Sequence, residues 1–223
     1  MKASTEEERL DIYNEDGTYA GTAARSAAHI EGYWHRTFHC VVLQQEAGGD
    51  YLLFQKRHSR KDTNPGKFDT TSAGHLLAGE ALEDGIREPQ EELGIAVTMD
   101  ELIPLGVVRH TYLELGIIDR EMSHVYLLIN SLPLSAYRPQ LDEVTGLVRI
   151  RLEEALALFK GEVEQVPATG LEWAEDTGEC RDAAYTLRKD DFVDHGPRYT
   201  DVLEQIRLQA HLPANDEQGD RPS

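Results

Sequence analysis

The stretch AGHLLAGEALEDGIREPQEELGI, residues 73–95, limits what this chain can fold into more than any other segment. Glutamates recur in it at helical spacing, yet a proline stands at position 89, between Glu88 and Glu91. A proline inside a helix removes a backbone hydrogen bond and pushes against the carbonyl four residues earlier, here that of Gly85. We therefore predict a helix that begins late, near residues 84–86, or one that is kinked in its first turns.

The same segment separates apolar from acidic residues. The apolar ones follow one helical face and are Leu82, Ile86, Pro89 and Leu93. Glu88 and Glu92 lie one turn apart on another face. Arg87 is four residues before Glu91 and is placed to hold that carboxylate. Carboxylates gathered in this way repel one another unless a cation lies among them, and their hard oxygens suit Mg²⁺ or Mn²⁺. A solvated acidic face is the alternative.

The charge of the whole chain narrows the classes of partner. The 223 residues carry a formal net charge of −19. Duplex nucleic acid and anionic membranes are recognised by basic faces, so neither is an expected partner. A small phosphorylated substrate remains compatible, because a bound divalent cation supplies positive charge locally. Cys40 and Cys180 have no zinc-site spacing and the N-terminus has no apolar leader, so we expect a cytoplasmic location.

Strand and helix patterns alternate in a mixed α/β order. A hairpin is predicted around Asp16-Gly17, strands over 35–45 and 50–57, and two more strands separated by an acidic turn, IIDRE, at 117–121. Residues 151–160 read as an amphipathic helix, 170–187 as a hairpin turning at 176–178, and 199–212 as a last helix. We divide the chain into an N-terminal extension (1–35), a core domain (36–160), a C-terminal hairpin and helix packed on the core (161–212) and a disordered tail (213–223).

Several fixed positions of the 73–95 segment match a known signature. They are Gly74, Glu80, Arg87, Glu88, Glu91, Glu92 and Gly94. This pattern resembles the motif of the Nudix hydrolases. Six residues separate Glu80 from Arg87, where the family usually has seven, and Pro89 occupies an apolar position.

The resemblance implies a Nudix-type α/β/α sandwich around a mixed β-sheet. It also implies that Glu88, Glu91, Glu92 and the backbone carbonyl of Ala73 bind Mg²⁺, with Mn²⁺ as a possible substitute. The expected reaction is metal-dependent hydrolysis of a diphosphate linkage in a nucleoside diphosphate derivative or similar small molecule. The implied catalytic residues are Glu91, Arg87 and Glu121. No further cofactor is expected, and a homodimer is possible.

The similarity extends to a subgroup close to isopentenyl-diphosphate isomerase, which shares the Nudix fold. His35 and His75 match its metal-binding histidines, and His29 matches a third with a one-residue slip in spacing. Asp119 and Glu121 stand where that enzyme has a Glu-x-Glu pair. Its catalytic cysteine is replaced by Ala73, which cannot transfer a proton.

Further residues complete the candidate site. Arg57 and Lys61 are assigned to diphosphate contacts, and His35 and His75 are placed with them on the substrate-binding side. Hydrogen-bonded structural histidines and a solvated Glu121 are the alternatives. Two other functions stay open: an isomerase-like enzyme, and a non-catalytic module that binds a diphosphate.

Overall fold

The computed structural model describes residues 7–114 and 116–211. Its strands are β1 (Arg9–Tyr13), β2 (Tyr19–Ala24), β3 (Trp34–Glu46), β4 (Gly49–Arg57), β5 (Phe68–Thr70), β6 (Ser72–His75), β7 (Leu102–Glu114), β8 (Ile117–Ile129), β9 (Val144–Arg151), β10 (Val166–Trp173) and β11 (Cys180–Leu187). Its α-helices are α1 (Arg25–Glu31), α2 (Arg87–Leu93), α3 (Leu152–Lys160) and α4 (Tyr199–Ala210). Short 3₁₀ turns cover Leu82–Ile86, Met99–Glu101, Leu134–Ala136 and Lys189–Asp191.

All of these strands belong to one mixed sheet. Its main path runs β11-β10-β9-β4-β3-β1-β2, with β5 on β4, β6 and β8 on β3, and β7 on β8. The β3–β8 pair is parallel, and the other pairs are antiparallel. The long strand β3 therefore connects β1, β4, β6 and β8: β1, β6 and the first part of β8 pair with its N-terminal half, and β4 pairs with its C-terminal end.

Helices cover both faces of the sheet. Successive residues of a strand point to opposite faces, so Val41 belongs to one hydrophobic cluster and Val42 to the other. The first cluster contains Phe159 of α3 and Leu203 of α4, and the second contains Leu93 of α2. Each fully buried aliphatic side chain stabilises the fold by roughly 1.5–3 kcal/mol. The expected α/β/α sandwich around a mixed sheet is confirmed.

Most of the expected elements are present. The first hairpin turns where Asp16 Oδ1 accepts a hydrogen bond from Thr18 N at 2.9 Å, and Gly17 adopts φ +86°. The second hairpin, β10–β11, closes through a bond from Ala174 N to Glu179 O of 2.9 Å. The amphipathic helix is α3, and the last predicted helix is α4.

Two local expectations differ from the structure. The acidic segment 117–121 is not a turn: it forms the first part of β8, because Asp119 pairs with Tyr112 of β7 and Glu121 pairs with both β7 and β3. Helix α1 was not expected, since seven residues directly after a strand leave no resolvable helical period. Both differences affect the functional site, because α1 and β8 contribute side chains to it.

The terminal additions share the sheet with the core. Strands β1 and β2 extend one edge, and β10 and β11 extend the other. The division into 1–35, 36–160 and 161–212 stays a prediction, and the expected tail at 213–223 lies outside the described residues. Within the ranges that the structure describes, no helix has the length and apolar character needed to cross a bilayer.

Candidate active site

Helix α2 begins immediately after the 3₁₀ turn Leu82–Ile86, so no regular α-helix runs from Leu82 to Leu93. This confirms that the helix begins late, with Arg87 as its first residue. Pro89 is the third residue of α2, where backbone N–H groups have no intrahelical acceptor, so its missing donor costs no helical bond. At the other end Gly94 adopts φ +69° and its N–H bonds to Gln90 O.

Arg87 connects this helix to the loop before it. Its Nε and Nη2 donate to the two carboxylate oxygens of Glu80 at 3.2 and 3.1 Å, and Nη2 also donates to His75 O at 2.9 Å. It contacts Glu88 as well, whereas Glu91 is 3.9 Å away. Arg87 was expected to hold Glu91, but its closest partners are Glu80 and Glu88. The six-residue spacing between Glu80 and Arg87 still brings the side chains of Glu80 and Arg87 together.

The carboxylates of α2 differ in exposure. Glu88 and Glu92 are buried, while the Glu91 side chain is 57% exposed. Glu92 accepts hydrogen bonds from Ala73 N at 3.0 Å and Gln55 Nε2 at 3.4 Å. Burial raises the pKa of Glu92 to about 7, and burial also raises the pKa of Glu88. A cation bound beside these two buried carboxylates would stabilise their ionised forms.

All three glutamates line one groove of about 330 Å³. The cationic side chains Arg25 and Lys61 line it too, so carboxylates and cations face the same space. Gly74 separates this groove from a second cavity, and a Cβ at position 74 would overlap the carboxyl group of Glu88. The assignment of Glu88, Glu91, Glu92 and the Ala73 carbonyl as metal ligands stays a prediction.

Three histidines cluster beside the second cavity, which His29 and His75 line, and this space is here called the histidine cavity. His29 comes from α1, His35 from β3 and His75 from β6, and their ring centroids lie 5.1–5.3 Å apart. The register of the sheet explains the meeting, because β3 places His35 opposite Glu121 of β8 and Thr37 opposite His75. Sequence similarity alone indicated these residues, and the structure brings them together.

Carboxylates of β8 join the histidines. Asp119 Oδ1 lies 3.4 Å from His35 Nε2 and 3.7 Å from His29 Nε2. Glu121 Oε2 accepts hydrogen bonds from Thr37 Oγ1 at 3.3 Å and Ser123 Oγ at 3.2 Å. The side chains of Asp119 and Glu121 are mostly buried, in contrast to the solvated turn that was the alternative.

The electrostatics of this cluster keep the rings neutral. Burial lowers the pKa of His29 to about 4, with a further contribution from His35, and burial holds the pKa of His75 well below its ordinary value. Burial and the charge of Glu121 raise the pKa of Asp119 well above its ordinary value. Burial opposes ionisation of Glu121, but its contact with His39, whose Nε2 lies 3.7 Å from Glu121 Oε2, outweighs burial and lowers its pKa.

The donor set suits a divalent cation. The Nε2 atoms of His29, His35 and His75 are buried without hydrogen-bond partners, and so is Oδ1 of Asp119. The ligand atoms of the three histidines lie within 4.8 Å of one another, as do those of His35, Asp119 and Glu121. Neutral imidazoles with carboxylates are ligands for Mn²⁺, Fe²⁺ or Zn²⁺, whereas the all-oxygen groove of α2 suits Mg²⁺.

The wall of the cavity also contains a buried ion pair. His195 Nε2 lies 2.7 Å from Asp69 Oδ1, and Asp69 Oδ2 accepts a hydrogen bond of 3.0 Å from Arg57 Nη1. Burial opposes ionisation of both side chains, but their mutual attraction outweighs burial. The pKa of His195 is therefore raised, and the pKa of Asp69 is lowered. The His195 ring also contacts the rings of His39 and His110.

The predicted diphosphate contacts face the same cavity. Arg57 and Lys61 line it together with Ala73, and each is held in place by a carboxylate, Asp69 for Arg57 and Glu143 for Lys61. The cavity has a volume of about 90 Å³. The roles of Arg57 and Lys61 in binding stay predictions.

Sequence reasoning missed His39, Asp69, His110 and His195. They come from β3, β5, β7 and the loop before α4, and no local spacing relates them. The alternating orientation of side chains along β3 offered one indication of His39, because His35, Thr37 and His39 share a sheet face. For Asp69 and His195 only the tertiary fold supplies the connection.

The fold and the loop–helix–loop segment define the class of domain, and a model of the NUDIX domain matches residues 33–173. The chain belongs to the Nudix family. It is 41% identical over 198 residues to an uncharacterised Nudix hydrolase of Clostridium acetobutylicum, a match that covers 89% of this chain and 96% of that protein. These findings confirm the expected enzyme class, a hydrolase that acts on pyrophosphate bonds.

Two further similarities define the subgroup and the fold. The chain is 34% identical over 139 residues to an isopentenyl-diphosphate Delta-isomerase of Streptomyces avermitilis, covering 60% of this chain and 66% of that one. A crystal structure of a Deinococcus radiodurans protein superposes with a TM-score of 0.52 and 23% identity, over 69% of this chain and 90% of that one. The latter similarity supports the fold alone.

Proposed function

We propose that this protein hydrolyses the diphosphate linkage of a nucleoside diphosphate derivative or similar small molecule, with Mg²⁺ bound by Glu88, Glu91 and Glu92. The observation that carries the proposal is the pair of buried carboxylates, Glu88 and Glu92, in a groove that Lys61 and Arg25 also line. The carboxylates suit the metal, and the cations suit the phosphate oxygens.

The residues of the chain take separate parts in this reaction. A water oxygen forms a bond to one phosphorus, the bond from that phosphorus to the bridging oxygen breaks, and the water proton passes to a carboxylate. Glu91 and Glu121 are the proposed acid/base groups, and Arg87 positions Glu88. A bound divalent cation supplies charge neutralisation and lowers the pKa of the attacking water.

The histidine cavity has its own role in this account. His29, His35, His75 and the β8 carboxylates hold a second divalent cation, beside Arg57 and Lys61 on the cavity wall. Gly74 lies between the two sites and lines both spaces, so a diphosphate bound across it reaches both sets of ligands. This proposal gives His35 and His75 metal-binding roles next to the substrate.

A direct test uses the protein with Mg²⁺ and a panel of nucleoside di- and triphosphates, nucleotide sugars and dinucleotides. Glu92→Gln is compared with Glu83→Gln, a matched change on the exposed 3₁₀ turn. We expect the buried substitution to lower turnover by roughly 10²-fold or more, and the exposed one to leave it unchanged. If no compound is cleaved, or if the two variants behave alike, the proposal is wrong.

The isomerase-like alternative rests on the histidine cluster and on the similarity to isomerases. Ala73 opposes it, because a methyl group cannot donate or accept the proton that the allylic shift requires. Deuterium incorporation from D₂O into isopentenyl diphosphate would reveal this activity. We expect none.

A further inference from the structure

The volume of the histidine cavity limits what it can hold. Its volume of about 90 Å³ lies well below the roughly 300–1,000 Å³ that is typical of sites for whole small molecules. A phosphate group fits, but a complete nucleotide does not. The remainder of any larger diphosphate substrate must therefore lie in an adjoining space.

One adjoining groove has the volume for it. The groove measures about 850 Å³, within the range of roughly 300–1,000 Å³ typical of small-molecule sites. It adjoins the cavity, because both are lined by the same four residues, Tyr112, Val193, Asp194 and His195. The loop before α4 thus lies between the two spaces and forms part of the wall of each.

The charge of this groove is unusual for so acidic a protein. Three of the lysines lie along it, Lys67, Lys160 and Lys189. Lys160 is paired with Glu204, but Lys67 Nζ donates to Phe192 O at 3.5 Å and Lys189 Nζ donates to Phe159 O at 3.2 Å. Among the described residues, neither of these two ammonium groups has a carboxylate within 4.0 Å.

The acidic residues that line the groove, Asp190 and Asp194, do not form ion pairs with Lys67 or Lys189. Asp194 Oδ1 accepts a hydrogen bond from Gly196 N at 2.8 Å and so stabilises its own loop. Asp190 belongs to the 3₁₀ turn and is exposed. At the junction with the cavity stands His195, whose ring is held by Asp69. The ammonium groups of Lys67 and Lys189 therefore remain available to an anion in the groove.

We propose that this groove, here called the lysine groove, binds a second phosphate on the part of the substrate beyond the cleaved diphosphate, with Lys67 and Lys189 as the specificity-determining residues. The inference rests on the proposed function and narrows its substrate class. The preferred substrates are diphosphates whose other end carries an additional phosphate monoester. The diphosphate lies across Gly74 with one of its phosphates in the histidine cavity, and the additional phosphate lies on the far side of His195.

Hydrolysis of matched substrate pairs tests this proposal. NADP⁺ and NAD⁺ differ by one phosphate, and so do coenzyme A and 3′-dephospho-coenzyme A. We expect the member with the extra phosphate to have a kcat/KM about 10-fold or more higher, mainly through KM. The double substitution Lys67→Met with Lys189→Met should bring that ratio close to one, and the double change to arginine should preserve it.

Lys160→Met is the matched control, because Lys160 lines the same groove but is already paired with Glu204. It should leave the ratio as in the wild type. A ratio near one in the wild type, or a ratio that survives the double methionine substitution, overturns the proposal. Cleavage of both members of a pair at equal rates would contradict the lysine groove but leave the hydrolase function supported. Failure of this inference is therefore distinguishable from failure of the proposed function.

A binding measurement is independent of turnover. Adenosine 3′,5′-bisphosphate and adenosine 5′-monophosphate are titrated calorimetrically into the full chain without metal. We expect the bisphosphate to bind about 10-fold more tightly, which corresponds to 1.4 kcal/mol, and the double methionine variant to lose this difference. Equal affinities in the wild type, including the case in which neither compound binds, overturn the proposal.

Discussion

Gly74 packs so closely against Glu88 that a Cβ at position 74 would overlap the Glu88 carboxyl group. We expect Gly74→Ala to displace Glu88, to cost about 1–3 kcal/mol of stability, and to lower kcat by more than ~10-fold. Turnover and thermal denaturation measure the two effects. Gly48→Ala is the control, because a Cβ there meets nothing within 4 Å, and its effect should be small.

The Arg87–Glu80 pair gives a second prediction. Lysine cannot reproduce the bidentate contact of the guanidinium with Glu80. Arg87→Lys should therefore weaken the attachment of the loop that carries Glu80 to α2. We expect a loss of about 1–2 kcal/mol in the free energy of unfolding, together with lower turnover. Arg198→Lys changes an exposed pair with Asp201 and should alter stability by less than about 0.5 kcal/mol. Equal effects of the two changes would contradict this account.

The raised pKa of Glu92 predicts a pH dependence of the metal-free protein. Its folded pKa of about 7 lies above the ordinary value of 4.5, so the folded state binds more protons between these values and stability falls as pH rises across them. Deprotonation of buried Glu92 costs on the order of 3 kcal/mol by pH 8. With EDTA present, Glu92→Gln should therefore gain stability relative to the wild type between pH 5 and 8. A constant difference across that range would contradict the raised pKa.

Two chemically different ligand sets predict two metals per chain. We expect His35→Ala to reduce bound Mn²⁺ by one equivalent, and Glu92→Gln to weaken binding of the other ion by roughly 10–100-fold. Equilibrium dialysis with elemental analysis measures both. His124→Ala is the control, since His124 belongs to neither ligand set. Loss of both ions in His35→Ala, with the fold intact, would mean that the sites are not independent.

The Asp69–His195 pair predicts a spectroscopic change. The Asp69 carboxylate raises the pKa of His195 against the effect of burial, so Asp69→Asn should lower it. Proton NMR of the imidazole measures the shift, with His124 as an internal reference that should not move. An unchanged His195 titration would show that Asp69 does not control that ring.

The sequence was sufficient for the features that repeat locally. Turn residues at Asp16-Gly17, the apolar period of α3 and the fixed spacing from Arg87 to Gly94 each predicted an element that the structure contains. Pro89 also indicated the late start of α2. In each case the physical cause lies within one or two turns of the chain.

The remaining features depend on the assembled sheet. Glu121 faces the histidines because β8 runs parallel to β3 in one particular register, and no local pattern in 117–121 specifies that register. His195 meets Asp69 across 126 positions of the chain. Such contacts follow from strand order and loop closure, which a single sequence does not determine.

The central claim is that this chain adds water across a diphosphate bond, and isotope labelling tests it most directly. A substrate cleaved in the panel is incubated with Mg²⁺ in ¹⁸O-labelled water, and the products are examined by ³¹P NMR. We predict one label in a single phosphate group of one product, and roughly 10²-fold less product or lower still with Glu92→Gln. Unlabelled products, or unchanged starting material across the whole panel, would contradict the account.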